Sequence, residues 1–202
     1  EWGRMDDYLA SFYTKDIQNG VIDEEEAIRL LTSFWQLMIA KEQVTDDRVI
    51  VGGLGRKYPK EADELALVIM EVSRRVRDIV PQLTLRMYKG MDERVYKKAM
   101  ECIGEGTTYP MLYQDENIIP GVMNVFGISY EEALNWMPLG CGEFTIDHSI
   151  IVSPNSVLNL ANVLWGTING GYDATGTYRL TPNQTSLTDY QTFDELWKTF
   201  CD

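Results

Sequence analysis

Four short extended runs, at residues 48–51, 82–87, 109–113 and 139–142, alternate along the chain with stretches of helical spacing. This alternation is the constraint that most narrows the fold, because it is the pattern of an α/β layer or barrel. Asp23 followed by Glu24, Glu25 and Glu26 reads as a helix N-cap with acids at the positive helix end. Ala27, Leu30, Leu31, Phe34, Trp35 and Met38 then recur at helical spacing. A second helix is predicted over 60–79, with Leu65, Ile69, Val72 and Val76 on one face and Pro81 ending it. Leu83, Leu85 and Met87 alternate as in a strand, and a third helix is predicted over 92–104. Ser129 and Glu132 form a capping box for a short helix containing Ala133, Leu134 and Trp136, stopped by Pro138. Ile146 and Ile150 to Val152 suggest further extended pieces. Another helix is expected after Pro154, carrying Val157, Leu158, Leu160, Val163 and Leu164 and stopping at Gly170 and Gly171. A last helix follows the Thr192/Glu195 capping box. No repeat and no Pro/Ser-rich linker divides the 202 residues, which are therefore expected to form a single unit.

Composition excludes several function classes. Acids outnumber bases 31 to 18, a formal charge of −13, which argues against nucleic acid and against docking on an anionic membrane. No apolar run reaches the length of a membrane span and no basic-then-apolar leader is seen. Cys102, Cys141 and Cys201 are widely spaced with no Cys-x-x-Cys pair, so a zinc ligand set is lacking and no metal is expected. An odd, sparse cysteine count suits a reducing interior, and a cytoplasmic location is the expectation. His148 is the only histidine, which excludes any mechanism that needs two.

Of the candidate motifs, Gly52-Gly53-Leu54-Gly55-Arg56-Lys57 has a phosphate-loop look, but Tyr58 stands where that motif needs Ser or Thr. It reads as a turn after a strand. The acids Glu24–Glu26 and Asp115–Glu116 point in different directions on a helix and read as caps or solvated groups rather than metal ligands. Asp147 and His148 sit among Ile146, Ile150 and Ile151, a setting for hydrogen-bonded core or pocket residues. Leu139-Gly140-Cys141-Gly142-Glu143 is the most informative segment. Two glycines let a sulfur be pushed into a cavity, and an extended backbone would put Glu143 on the same side as Cys141. A thiol beside a carboxylate fits a cysteine-protease triad poorly and suits radical chemistry on sulfur with the carboxylate moving a proton. On physical grounds alone, a structural cysteine in a glycine-rich turn is the favoured reading.

The motifs in order resemble those of the glycyl radical enzymes, the pyruvate formate-lyase-like family. Asp6-Asp7-Tyr8-Leu9 with Phe12-Tyr13 and Asp16 resembles that family's first helix here, and Glu25-Glu26-Ala27 with Leu30-Leu31 and Trp35 its next. Val49-Ile50-Val51-Gly52-Gly53 and Pro81-Gln82-Leu83-Thr84-Leu85-Arg86 resemble its strand motifs. Gly106, Pro110 and Asp115 follow, then Gly127-Ile128-Ser129-Tyr130-Glu131-Glu132-Ala133, then Gly140-Cys141-Gly142-Glu143. The resemblance implies part of a ten-stranded α/β barrel with the cysteine loop inside. It implies that an activase using S-adenosylmethionine and an iron–sulfur cluster makes a radical on a C-terminal glycine, which passes to Cys141. The thiyl radical would then take hydrogen from a small-molecule substrate. In the eliminating branch the matching glutamate, here Glu143, acts as general acid/base. Homodimers are usual in the family.

Departures bear on the branch. Gly142 stands where Val is common in eliminases, and Phe144 replaces the usual Pro. No second cysteine follows Cys141, so acyl transfer of the formate-lyase type lacks its second sulfur. The Arg-Val-x-Gly-Tyr radical motif is missing, and Gly171-Tyr172 lacks its context. The expectation is an internal piece of a lyase or dehydratase, lacking the glycyl radical domain, inactive alone, and either oligomeric or displaying an apolar face. The alternatives are a formate C-acetyltransferase-type carbon–carbon lyase, a non-catalytic binding module that retains the fold, and a merely structural Cys141/Glu143 turn.

Overall fold

The computed structural model describes residues 2–41, 47–140, 142–147, 149 and 159–202. The chain divides into two compact units, residues 1–152 and 153–202.

The first unit is an α/β layer, as the alternation predicts. Strands β1 (Gly3–Arg4), β2 (Val49–Gly52), β3 (Leu83–Met87) and β4 (Met111–Gln114) pair in that order, all parallel. Helices α1 (Met5–Gln18), α2 (Glu24–Ala40), α3 (Pro59–Val76) and α4 (Glu93–Gly104) connect them. Val49, Val51, Leu83 and Leu85 project from one sheet face into a core with Trp35 and Met38 of α2, Leu65, Ile69 and Val72 of α3, and Val95 and Ala99 of α4. The predicted cap of α2 forms, with Asp23 accepting from the Glu26 amide at 2.8 Å. The second predicted helix stops three residues earlier than its apolar pattern suggests. Arg77 takes a left-handed conformation (φ +56°) and closes α3.

Two elements differ from expectation. After β4 comes α5 (Asp115–Phe126), which contains Pro120 and Gly121 and therefore carries no helix signal of its own. The capping-box helix is a single turn, α6 (Tyr130–Ala133), so Trp136 is not helical. Trp136 begins β5 (Trp136–Leu139), which contains Pro138 and pairs antiparallel with β6 (Glu143–Ile146). The extended run expected at 139–142 is thus a hairpin turn. Gly140 and Gly142 have φ of +46° and +122°, and the Gly142 amide donates to the Leu139 carbonyl at 2.7 Å. This two-stranded ribbon contacts the sheet through Arg86 and Tyr113, on the face opposite Val49, Val51, Leu83 and Leu85. A second core forms there, from Trp136 and Ile146 with Ile119, Val122 and Ala133.

The second unit holds α7 (Leu160–Ile168), an irregular stretch, and α8 (Phe193–Cys201). Val157 and Leu158 lie outside the described residues. Gly171 has φ +91°, and a Cβ there would meet the carbonyls of Asn183 and Thr181 at 2.2 and 2.7 Å, so close backbone approach accounts for this glycine. α8 leaves Phe193 and Trp197 exposed with their rings stacked. Among the described residues, no helix is long and apolar enough to cross a membrane.

Candidate active site

A network of buried charged residues ties the start of the ribbon that carries the cysteine turn to the sheet. Arg86, in the apolar strand β3, places Nε and Nη2 on the two oxygens of Asp115 at 3.0 Å each, with both side chains fully buried. The same guanidinium donates to the carbonyls of Trp136 and Leu134 at 2.9 and 3.2 Å. Asp115 also accepts from the Trp136 indole at 3.0 Å and the Leu54 amide at 2.7 Å. Arg4 donates to the carbonyls of Gly52, Leu54 and Leu134. Asp6 accepts from the Gly52 amide at 2.7 Å and from Arg56 at 2.9 Å, and Arg56 reaches Asp63 at 2.7 Å. Leaving any of these groups unpaired inside the protein would cost several kcal/mol, roughly 3–5 for one half of an ion pair.

This network also explains the glycine-rich loop. The amides of Gly52, Leu54 and Lys57 donate to Asp6, Asp115 and Asp7. Amides that a phosphate loop would aim at a ligand are spent on carboxylates of the protein itself, in keeping with the turn reading. A Cβ on Gly53 would sit 2.7 Å from Arg86 Nε, so glycine is needed for the guanidinium to pass.

Burial sets the charges. The Asp6 carboxyl is pushed up to about 6, first by burial and against the pull of Arg56. Arg4 is pulled down to about 10 by burial and by the neighbouring Arg86. Burial also lowers Arg86, with Asp115 opposing.

At the other end of the ribbon, Arg48 is wholly buried just before β2. Its guanidinium donates to Thr84 at 2.6 Å, to Gln82, and to the carbonyl of Gly140. Tyr113 of β4 packs edge-on against Trp136 and Phe144, with ring centroids 5.6 and 6.3 Å apart. Its hydroxyl lies over Gly142, where a Cβ would come within 2.5 Å of it.

Cys141 and His148 lie outside the described residues. Glu143 is the first residue of β6, exposed and paired with Leu139 directly beside the turn. Asp147 follows the other end of β6, with its amide on the Asn135 carbonyl at 2.9 Å. Glu143 and Asp147 are four positions apart along extended backbone, which sets their Cα atoms about 13 Å apart. Asp147 borders a separate cleft of about 520 Å³ with Trp2, Arg4, Asp7 and Asn135. Among the described residues, no cluster of His, Cys, Asp or Glu has the makings of a metal site. Glu25 and Glu26 pair with Arg75 and Arg29, as solvated helix acids do. Arg48 and Tyr113 drew no notice in the sequence. A charge immediately before an apolar strand and a tyrosine in the Met111–Gln114 strand are their only signals.

Comparison with known proteins finds relatives over nearly the whole chain. The probable dehydratase YbiW of Escherichia coli (strain K12) is 28% identical over 216 residues, covering 96% of this chain and 26% of that protein. The isethionate sulfite-lyase of Oleidesulfovibrio alaskensis is 28% identical over 217 residues, covering 98% and 26%. The crystal structure of a glycyl radical enzyme from Archaeoglobus fulgidus matches with a TM-score of 0.65 at 23% identity, over 98% of this chain and 27% of that one, a likeness of fold. The chain spans about a quarter of the length of these relatives. The family model described as pyruvate formate lyase-like matches residues 1–202, and the chain belongs to that family.

Proposed function

We propose that this chain carries the cysteine turn of a glycyl radical lyase of the dehydratase type. The observation that carries the reading is the β5–β6 turn: Gly140-Cys141-Gly142 followed by Glu143, anchored to the sheet by buried charges and held at both glycines. The dehydratase and lyase names of relatives at 28% identity support the reaction class. The glycyl radical, installed by a radical S-adenosylmethionine activase, supplies the unpaired electron. Cys141, as a thiyl, takes a hydrogen atom from a carbon of a small hydroxylated substrate, leaving a thiol and a carbon radical. Glu143 accepts the proton of the hydroxyl on that carbon and returns a proton to the departing group. The thiol gives its hydrogen atom back to the product radical, so Cys141 ends as it began. His148 is proposed to contribute to substrate binding, whereas Asp147, beyond the far end of β6, faces a separate cleft. A homodimeric, cytoplasmic parent enzyme with activase as partner, and no turnover by these 202 residues alone, complete the proposal.

Gly142 in place of a second sulfur favours elimination over acyl transfer. The test is anaerobic assay of the activase-treated parent protein with candidate diols and sulfonates. Cys141→Ser is expected to abolish turnover, and Glu143→Gln to lower it at least 100-fold. Full activity in Glu143→Gln would remove the proton-transfer role.

A further inference from the structure

The sheet touches the cysteine turn at two points, one on each flanking glycine. Arg48 donates to the Gly140 carbonyl from the N-terminal end of the sheet. Its other guanidinium contacts, Thr84, Gln82 and the Met111 sulfur, come from β4 and from in or just before β3, so it spans the sheet edge. None of these described partners is a carboxylate. Carbonyl oxygens are among the dipoles that hold a buried guanidinium in place. The cation therefore draws the Gly140 carbonyl inward and resists any turn geometry that would withdraw it. On the other glycine, the Tyr113 hydroxyl fills the space a side chain at Gly142 would take. The Tyr113 ring is wedged edge-on against Trp136 and Phe144 of the two ribbon strands, so the hydroxyl cannot swing away freely.

We propose that Arg48 and Tyr113 are positioning residues that clamp the Gly140–Gly142 turn from the sheet and so fix the direction in which Cys141 is presented. That role in reaction rests on the proposed function of Cys141. The clamp itself does not, and it can be measured without turnover.

The experiment is amide hydrogen exchange on the folded chain, comparing wild type with Arg48→Lys and Tyr113→Phe. The probe is the Gly142 amide, which closes the turn on Leu139. The controls are the amides of Val51 and Leu85 in the parallel sheet. Lysine keeps the charge but cannot bridge the Gly140 carbonyl, Gln82 and Thr84 together. Gly142 exchange is expected to rise at least tenfold in Arg48→Lys and about threefold in Tyr113→Phe, with the sheet amides changing less than twofold. Tyr113→Phe removes one oxygen only, and keeps the test alive should Arg48→Lys fail to fold. Unchanged Gly142 exchange in the folded variants overturns the clamp. So does a parallel rise at Gly142, Val51 and Leu85, which would mark a general structural role. An intact clamp in a parent enzyme that is indifferent to Cys141→Ser would instead count against the proposed function.

Discussion

Arg86 and Asp115 meet as a fully buried, two-pronged ion pair whose remaining hydrogen-bonding capacity is taken by Trp136, Leu134 and Leu54. One side chain comes from a strand of the parallel sheet and the other from the first residue of α5, and together they hold the start of β5. The pair thus ties the ribbon to the sheet. Removing one partner leaves the other buried and unpaired. Asp115→Asn and Arg86→Met are each expected to lower unfolding free energy by about 3–5 kcal/mol. Arg86→Met combined with Asp115→Asn should cost less than the two single losses added together. Urea denaturation followed by tryptophan fluorescence reads this, and strict additivity would contradict the coupling.

Asp6 gives the stability a pH dependence of unusual sign for a carboxylate. Its folded value of about 6 lies above the ordinary 3.8. Between these values the folded chain retains a proton that the unfolded chain releases, so this group's contribution falls as pH rises from about 4 to 6. The size is about 3 kcal/mol, from roughly two units at 1.36 each. Asp6→Asn removes the titration, so wild-type stability measured relative to this variant should decline across that window and then level off. A relative stability that rises over the same window would contradict the burial-driven shift.

Much of this architecture is legible in the sequence, for physical reasons that also mark where legibility stops. The strands Val49–Gly52 and Leu83–Met87 are short apolar runs between helices with caps, and both signals are local. The ribbon is not local. Trp136 falls at helical spacing after a real capping box, yet tertiary demand for its indole at Asp115 draws it into a strand. Pro138 reads as a helix stop and is tolerated in β5 because a two-stranded ribbon leaves it an unpaired side. α5 escapes notice because Pro120 and Gly121 break its pattern, although its apolar residues Ile119 and Val122 are buried. Arg86 and Asp115 both belong to motifs quoted for the family resemblance, but nothing in their 29-residue separation shows that they touch. Cys141 and Glu143 are singled out by the motif alone. The turn that separates them from a straight strand follows from the two positive-φ glycines.

Gly142 and Tyr113 should behave as a coupled pair. Gly142→Ala places a methyl group against the tyrosine hydroxyl and onto a backbone at φ +122°. The expected loss is about 2 kcal/mol in the wild-type background, from strain plus clash. With Tyr113→Phe the clash is relieved and only the backbone strain remains, so the loss should fall to about 1 kcal/mol. Thermal unfolding of the four proteins in the cycle gives the coupling. A loss equal in both backgrounds would mean that the hydroxyl does not occupy the space over Gly142.

The central claim is that Cys141 is the hydrogen-abstracting residue of a glycyl radical lyase. Its most direct test is hydrogen exchange in the activated parent protein, kept anaerobic in deuterated water, with turnover of a candidate substrate followed by mass spectrometry. Wild type should form product carrying deuterium at the carbon that lost the departing group, by way of the exchangeable thiol of Cys141. Cys141→Ala should form neither product nor exchanged substrate. Product formation by Cys141→Ala at a rate near wild type would contradict the account.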